Sequence, residues 1–237
     1  MIEYSNETRI LVAVDCIIFG FDGIDYKLLL IQRGFAPEKE KWSLMGGFLK
    51  NHESLDEAAD RILKELTGLE NVYMEQLHVF SDPHREVVER TVAVAYVALI
   101  DIQKYIRQIN DRYHAHWFTM NEMPKLIFDH KEMVEMAKSR IRYKAALHPI
   151  LFELLPEKFT LPLLQAMYES LYETKIDKRN FTRKVLSTNM LIKEDVKDKS
   201  NSKKGAYFYH LDRSKYQEEF QTVLNFIPKN EMPTVNE

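Results

Sequence analysis

The stretch "GGFLKNHESLDEAADRILKELTGL", residues 46–69, decides the fold of the first half of the chain. A glycine pair opens a loop, and the loop leads into a segment whose apolar residues recur at helical spacing. That apolar stripe consists of Leu55, Ala58, Ala59, Ile62, Leu63 and Leu66. Ser54 and Glu57 have the spacing of a capping box, and Gly68 is placed to end the segment. The pattern predicts a capped amphipathic helix.

The same stretch resembles the Nudix box, a motif that joins a glycine turn to a helix of the form Arg-Glu-x-x-Glu-Glu-x-Gly. The positions that match are Gly47, Glu53, Arg61, Leu63, Glu65, Gly68 and Leu69. Two positions depart from the motif, because Ile62 and Leu66 stand where it has glutamates. The resemblance implies a Nudix fold for this part of the chain.

The two departures remove chemistry from one side of the helix. Ile62 and Leu66 lie one helical turn apart, so they share a face. In the Nudix family that face carries carboxylates that hold a divalent metal, and Mg²⁺ or Mn²⁺ needs oxygen ligands. Glu65 alone is too little to hold metal or to activate water. We therefore expect no catalytic residues, no metal site, no cofactor and no enzyme activity.

The other half of the box is kept. Glu53 and Arg61, which help to hold the loop to the helix in the Nudix family, are both present and able to pair. Two interpretations stay open: a loop and helix that are only structural, or a pocket that binds a ligand without cleaving it. We favour the pocket, because the distal part of the chain gives a reason for one to exist.

The segments around the box predict a mixed sheet. The runs "RILVAVDCIIFG" and "YKLLLIQRG" flank the turn signal Asp22-Gly23, and they are followed by "VYMEQLHVF", "VVERTVAVAYVALI" and "AHWFTM". The fourth run is so continuously apolar that we place it at the centre of the sheet. The fold class is α+β: a Nudix-like mixed sheet with flanking helices over residues 1–150, followed by a second domain.

Residues 151–237 have the outline of a winged helix-turn-helix domain. "TLPLLQAMYESLY" predicts a helix with Thr160 as N-cap, and "DKRNFTRKVLSTN" predicts a second helix capped by Asp177. Two apolar runs, "NMLI" and "AYFYHL", then flank a loop rich in Lys and Ser. Helix, turn, helix and a hairpin with a basic tip make up that motif.

The charge of this region indicates a polyanionic partner. Residues 174–204 carry ten Lys and Arg against four Asp and Glu, a net +6 in a chain of net −3. Phe181, Val185 and Leu186 are expected to anchor the second helix while its polar residues face outward. The DNA-binding candidates are Lys178, Arg179, Asn180, Thr182, Arg183 and Lys184, with Lys203 and Lys204 at the loop tip. The alternatives are a basic surface helix, or a scaffold that binds RNA or an acidic protein.

The bulk composition excludes some functional classes. The 237 residues contain no apolar run of about 18 residues, and the N-terminus lacks the features of a signal peptide. The single cysteine cannot form an internal disulfide. We expect a cytoplasmic protein with no membrane partner.

The combination of domains resembles the Nudix-related bacterial transcription regulators. Beyond the box, three stretches carry the likeness: "SDPHREVVERTVAVAYVAL", "WFTMNEMPKLIFDHKEMVEMA" and "LLPEKFTLPLLQAMYESLYETKIDKRNFTRKVL". The resemblance implies a homodimer that binds a double-stranded, pseudo-palindromic DNA operator. It also implies a small-molecule effector in the Nudix pocket, either ADP-ribose or L-arabinose.

The residues favour the sugar over the nucleotide. Burial of a pyrophosphate without metal requires cations, and few are visible near the box, whereas an uncharged pentose tolerates Ile62 and Leu66. We therefore favour a pentose, L-arabinose, with ADP-ribose second. The candidate effector-binding residues are Arg33, Gly46, Gly47, Glu53, Arg61 and Glu65. The enzyme alternative is a Nudix hydrolase of nucleoside diphosphate sugars such as ADP-ribose.

Overall fold

The fold is described from a computed structural model that covers residues 7–109, 113–147, 150–200 and 203–218. Its first part contains β1 (Leu11–Phe21), β2 (Tyr26–Gln32), β3 (Trp42–Ser43), β4 (Met45–Phe48), α1 (Leu55–Thr67), β5 (Glu75–Phe80), β6 (Thr91–Asp101), α2 (Ile102–Tyr105), β7 (His116–Thr119) and α3 (His130–Leu147). Its second part contains β8 (Phe159–Thr160), α4 (Leu161–Tyr172), α5 (Lys178–Ser187), β9 (Leu191–Asp198), β10 (Ala206–Leu211) and α6 (Arg213–Glu218). Short 3₁₀ turns lie at Met120–Glu122 and Ile150–Leu154.

A seven-stranded sheet forms the centre of the first part. Five strands run in the order β3-β2-β1-β6-β5, while β4 pairs with β1 and β7 pairs with β2. Strand β6, which the sequence places at the centre, is interior, but β1 holds the central position. Residues 13–21 of β1 are all buried, which accounts for its apolar composition. Asp15 is a charged exception within this buried run.

Helix α1 has the ends that its sequence predicts. The Ser54 side chain accepts from the Glu57 backbone N–H, and the Glu57 carboxylate accepts from the Ser54 N–H, so the capping box is complete. Gly68 ends the helix with φ of 83°, a conformation that favours glycine. The buried face of α1 includes Ile62, next to strand β4.

The second part has the predicted helix, turn, helix and hairpin, and it also has a short strand, β8, that was not predicted. Strands β8, β10 and β9 form a three-stranded sheet in that order. Thr160 ends β8 and also caps α4, where its side chain accepts from the Leu163 N–H. Asp177 caps α5 by accepting from the Asn180 N–H at 2.8 Å. The sequence did not predict β8, since two residues are too few for a periodic pattern.

The contacts within the chain define two compact units. Within the described ranges, the first comprises residues 7–19, 28–99 and 105–137, and the second comprises 20–27, 100–104 and 138–218. The predicted boundary near residue 150 stays a prediction, and residues 148–149 lie outside the described ranges. No helix within those ranges has both the length and the apolarity needed to cross a membrane.

Candidate functional site

A cleft in the first unit gathers residues that are far apart in sequence. Its lining includes Asp15, Arg33, Phe35, Gly46, Gly47, Phe48, Arg85, Phe128 and His130. Three of the predicted effector residues, Arg33 and the two box glycines, therefore lie in one cleft. The charged and aromatic lining residues come from strands β1 and β4, the loops after β2 and before β6, and the segment where α3 begins.

The positively charged guanidinium of Arg33 lies close to two aromatic rings at this cleft. Its guanidinium carbon lies 4.1 Å from the centre of the Phe35 ring and 5.4 Å from that of Phe128. The Arg33 Nε is buried, and no hydrogen-bond acceptor reaches it among the described residues. Burial lowers the pKa of Arg33, but an arginine stays charged at neutral pH. A buried donor without an acceptor is costly, so this position suits an anionic ligand.

Arg85 is a second buried arginine, and the sequence analysis missed it. Its guanidinium makes two hydrogen bonds of 2.8 Å to the Asp129 carboxylate, from Nε and from Nη2. This bidentate pair fixes the arginine and largely balances its charge. Arg85 lies in the segment "SDPHREVVERTVAVAYVAL", where no local pattern distinguishes it from Arg90.

His130, the first residue of α3, is held in one tautomer. Its Nδ1 accepts the Leu44 backbone N–H at 3.2 Å, so the proton of the neutral ring lies on Nε2. That Nε2 faces an Asp15 carboxylate oxygen at 3.8 Å. Burial lowers the pKa of His130 and raises the pKa of Asp15. The ring is therefore neutral at physiological pH.

Glu53 and Arg61 form the expected pair, beside the cleft and not among its lining residues. Arg61 donates from Nε at 2.7 Å and from Nη2 at 2.5 Å to the two Glu53 oxygens, and Nη2 also donates to the Phe48 carbonyl at 3.0 Å. The hydrogen bonds from Arg61 hold the pKa of Glu53 at about 2. Glu65 accepts from Arg61 at 3.3 Å and is otherwise largely exposed. These contacts fasten the loop to α1, and a role in effector binding stays a prediction for all three residues.

The helix face that carries carboxylates in the Nudix family is here part of the protein core. Ile62 is 2% exposed, and a Cβ added at Gly47 would lie 2.9 Å from the Ile62 Cγ1. Leu66 is half-buried on the same side. Aliphatic side chains offer no oxygen to a divalent ion, so these residues do not fit a Nudix metal. Across the described ranges, no cluster of three His, Cys, Asp or Glu is arranged to hold one.

Helix α5 has one face buried in the core and an exposed face rich in basic residues. Phe181 and Val185 are buried, whereas Leu186 is 40% exposed. The prediction that Leu186 also anchors the helix is therefore wrong. Leu186 follows Val185 by one residue, which turns it about 100° away from the core. The exposed residues are Lys178, Arg179, Asn180, Arg183 and Lys184, with Thr182 half-buried and with Lys203 and Lys204 exposed at the hairpin tip.

The turn before α5 is fixed by Glu169 of α4. The Glu169 carboxylate accepts from the Ile176 N–H and from the Gln165 amide, each at 2.9 Å, and from Lys175 at 3.1 Å. These contacts set the start of α5, where Asp177 supplies the cap. Arg183 donates to the Asn180 side chain at 3.0 Å, so two of the candidate DNA contacts support each other.

Comparison with family models identifies both parts of the chain. Residues 9–137 match the NUDIX domain, and residues 151–211 match the NrtR DNA-binding winged helix domain. The chain is 32% identical over 220 residues to the ADPR responsive transcriptional repressor NtrR of Acinetobacter baylyi, covering 91% of this chain and 88% of that protein. It is 35% identical over 133 residues to an ADP-ribose pyrophosphatase of Methanocaldococcus jannaschii, covering 56% of this chain and 74% of that enzyme.

Solved structures show the same likeness. Shewanella oneidensis NrtR in complex with a 27mer DNA is 31% identical with a TM-score of 0.73, over 87% of this chain and 95% of that one. The NUDIX domain of that protein in complex with ADP ribose is 30% identical with a TM-score of 0.51, over 59% of this chain and 94% of that one.

Proposed function

The chain belongs to the NrtR-type transcription regulators, which join a Nudix domain to a DNA-binding winged helix, and we propose that its Nudix cleft senses ADP-ribose. The observation that carries this proposal is Arg33: a guanidinium between two aromatic rings, with a buried Nε that lacks an acceptor among the described residues. A pyrophosphate in the cleft would place its negative charge beside this guanidinium.

This proposal replaces the preference for L-arabinose. That preference rested on a shortage of cations near the box. The cleft contains Arg33, close to the Phe35 and Phe128 rings, and Arg85, whose charge Asp129 largely balances. A phosphate group can pair with the Arg33 guanidinium, which a neutral pentose cannot do. The names of the relatives from A. baylyi and M. jannaschii both refer to ADP-ribose, and neither refers to a pentose.

Thermal unfolding in EDTA tests the effector. A ligand at a hundred times its dissociation constant stabilises the folded state by about 2.7 kcal/mol, so ADP-ribose should raise the melting temperature while L-arabinose does not. Arg33→Gln should weaken ADP-ribose at least tenfold, whereas Arg107→Gln, an exposed arginine of the same unit, should not. A shift with L-arabinose and none with ADP-ribose would contradict the proposal.

We propose that α5 reads the DNA and that the two units divide the work. Arg183 is exposed on α5 and braced by Asn180, so Arg183→Ala should weaken binding to a duplex about tenfold or more. The duplex is one selected from random sequences by the wild-type protein. ADP-ribose binding should stay unchanged, and Lys39→Ala, which removes an exposed charge in the first unit, should alter neither. Equal loss of both activities in Arg183→Ala would refute the division.

We further propose that the chain binds ADP-ribose without hydrolysing it. Ile62 and Leu66 offer no oxygen to a metal ion, and Glu65 is engaged with Arg61. The likeness to the M. jannaschii enzyme keeps hydrolysis as the second candidate function. Incubation of ADP-ribose with Mg²⁺ or Mn²⁺ separates the two, because metal-dependent turnover that Glu65→Gln abolishes would establish a hydrolase.

A homodimer on a pseudo-palindromic operator completes the proposal, since two-fold sites are read by two-fold proteins. Light scattering of the protein with and without the selected duplex measures this directly. Two chains for each duplex are expected, and one chain for each duplex would refute it.

A further inference from the structure

Asp15 is a buried carboxylate in the apolar central strand of the sheet. Its exposed fraction is 4%, its neighbours in β1 are buried, and it lines the cleft that holds Arg33. Burial of a carboxylate is costly unless it is paired and hydrogen-bonded. An aliphatic side chain at this strand position would avoid that cost.

The positive groups around Asp15 approach it but do not bond to it. Arg85 Nη2 lies 3.8 Å from one Asp15 oxygen, and His130 Nε2 lies 3.8 Å from the other. Arg85 has a closer partner, because Asp129 accepts from it at 2.8 Å. The Leu44 N–H donates to His130 Nδ1, so the Nε2–H is the side of the ring that faces Asp15, beyond hydrogen-bonding distance. Within the described ranges, no donor lies at hydrogen-bonding distance from the Asp15 carboxylate.

The glycine turn leaves space for this carboxylate. Strand β4 pairs with β1 so that Gly46 lies opposite Asp15, and a Cβ at Gly46 would collide with the Asp15 Oδ1. A glycine therefore stands where any side chain would displace the acid. Asp15 thus lines the cleft next to the glycine turn, with 6% of its side chain exposed.

We infer that Asp15 accepts hydrogen bonds from the vicinal hydroxyl groups of a ribose ring, and thereby reads a sugar of the effector. The inference rests on the proposed function. Two carboxylate oxygens can accept from two neighbouring hydroxyls, as an acidic residue accepts from ribose in dinucleotide-binding folds. A phosphate is repelled by Asp15 and attracted by Arg33. The two residues thus favour the hydroxyls of the ligand beside Asp15 and its phosphates beside Arg33.

Titration calorimetry in EDTA with three ligands tests this assignment. The ligands are ADP-ribose, ADP, which lacks the terminal ribose, and 2′-deoxy-ADP-ribose, which lacks one hydroxyl of the adenosine ribose. Asp15→Asn should weaken ADP-ribose at least tenfold. It should weaken one of the other two ligands by a clearly smaller factor, because one or both of the hydroxyls that Asp15 reads are already missing there. Unchanged affinity for ADP-ribose, or the same factor for all three ligands, would overturn the inference.

Two further proteins exclude a purely structural role. Asp15→Ser is smaller and also neutral, so it should show the same pattern if Asp15→Asn folds poorly; the melting temperature of each free protein is measured alongside. Asp60→Asn removes an exposed carboxylate of α1 and should bind all three ligands like the wild type. If the wild type fails to bind ADP-ribose, the proposed function falls and this inference with it. If the wild type binds ADP-ribose, and Asp15→Asn has the same relative affinities for the three ligands as the wild type, only this inference falls.

Discussion

Truncation of Ile62 tests whether the face of α1 that carries carboxylates in the Nudix family is part of the core in this protein. Ile62→Ala removes three carbons from a side chain that is 2% exposed and packed against Gly47. At about 0.8 kcal/mol for each buried carbon, the transfer cost is about 2.4 kcal/mol, and the cavity raises the range to about 2–5 kcal/mol. That loss is a large share of the stability of a typical domain.

Leu66→Ala is the matched control, because it also removes three carbons from α1. Leu66 is half-buried, so its loss should stay below about 2 kcal/mol. Urea unfolding followed by tryptophan fluorescence measures both, since Trp42 and Trp117, the two tryptophans of the chain, lie in the Nudix domain. A loss below about 1 kcal/mol for Ile62→Ala, or equal losses for the two variants, would show that this face is not core.

Three further predictions concern local contacts. Burial lowers the pKa of His130, so the stability that the neutral ring contributes is complete above about pH 6.5 and declines as the pH falls below that value. Between pH 7.5 and 5.5 the free energy of unfolding should therefore fall more in the wild type than in His130→Asn. Asp177→Ala removes the cap of α5, costs about 1 kcal/mol and should weaken binding to the selected duplex severalfold, while Asp177→Ser restores it; equal anisotropy titrations of the two would contradict this. Arg61→Gln should release the loop before α1, seen as faster hydrogen exchange at the Lys50 amide, and unchanged exchange would show that the pair is not needed.

Local elements could be predicted because their signals are local. The capping box of Ser54 and Glu57, the Gly68 terminus and the Asp177 cap each depend on residues within one or two turns. The order of helices and strands followed from such signals. Leu186 shows the limit of the method, since its exposure depends on where the core lies and not on its apolar character.

The cleft could not be predicted, because its residues meet only through the sheet. Asp15 lies in β1, Arg85 precedes β6, and His130 begins α3, so no spacing in the sequence relates them. The count of cations near the box therefore omitted Arg85, and it could not show that Phe128 lies near Arg33. The preference for a neutral sugar followed from that incomplete count.

The most direct test of an ADP-ribose sensor that controls DNA binding is the coupling between the two ligands. Fluorescence anisotropy gives the dissociation constant of the selected duplex at rising ADP-ribose concentrations in EDTA at fixed salt. We expect it to change about 5- to 150-fold, and the dissociation constant of ADP-ribose to change by the same factor when the duplex is present. A dissociation constant for DNA that is unchanged at saturating ADP-ribose would contradict the central claim.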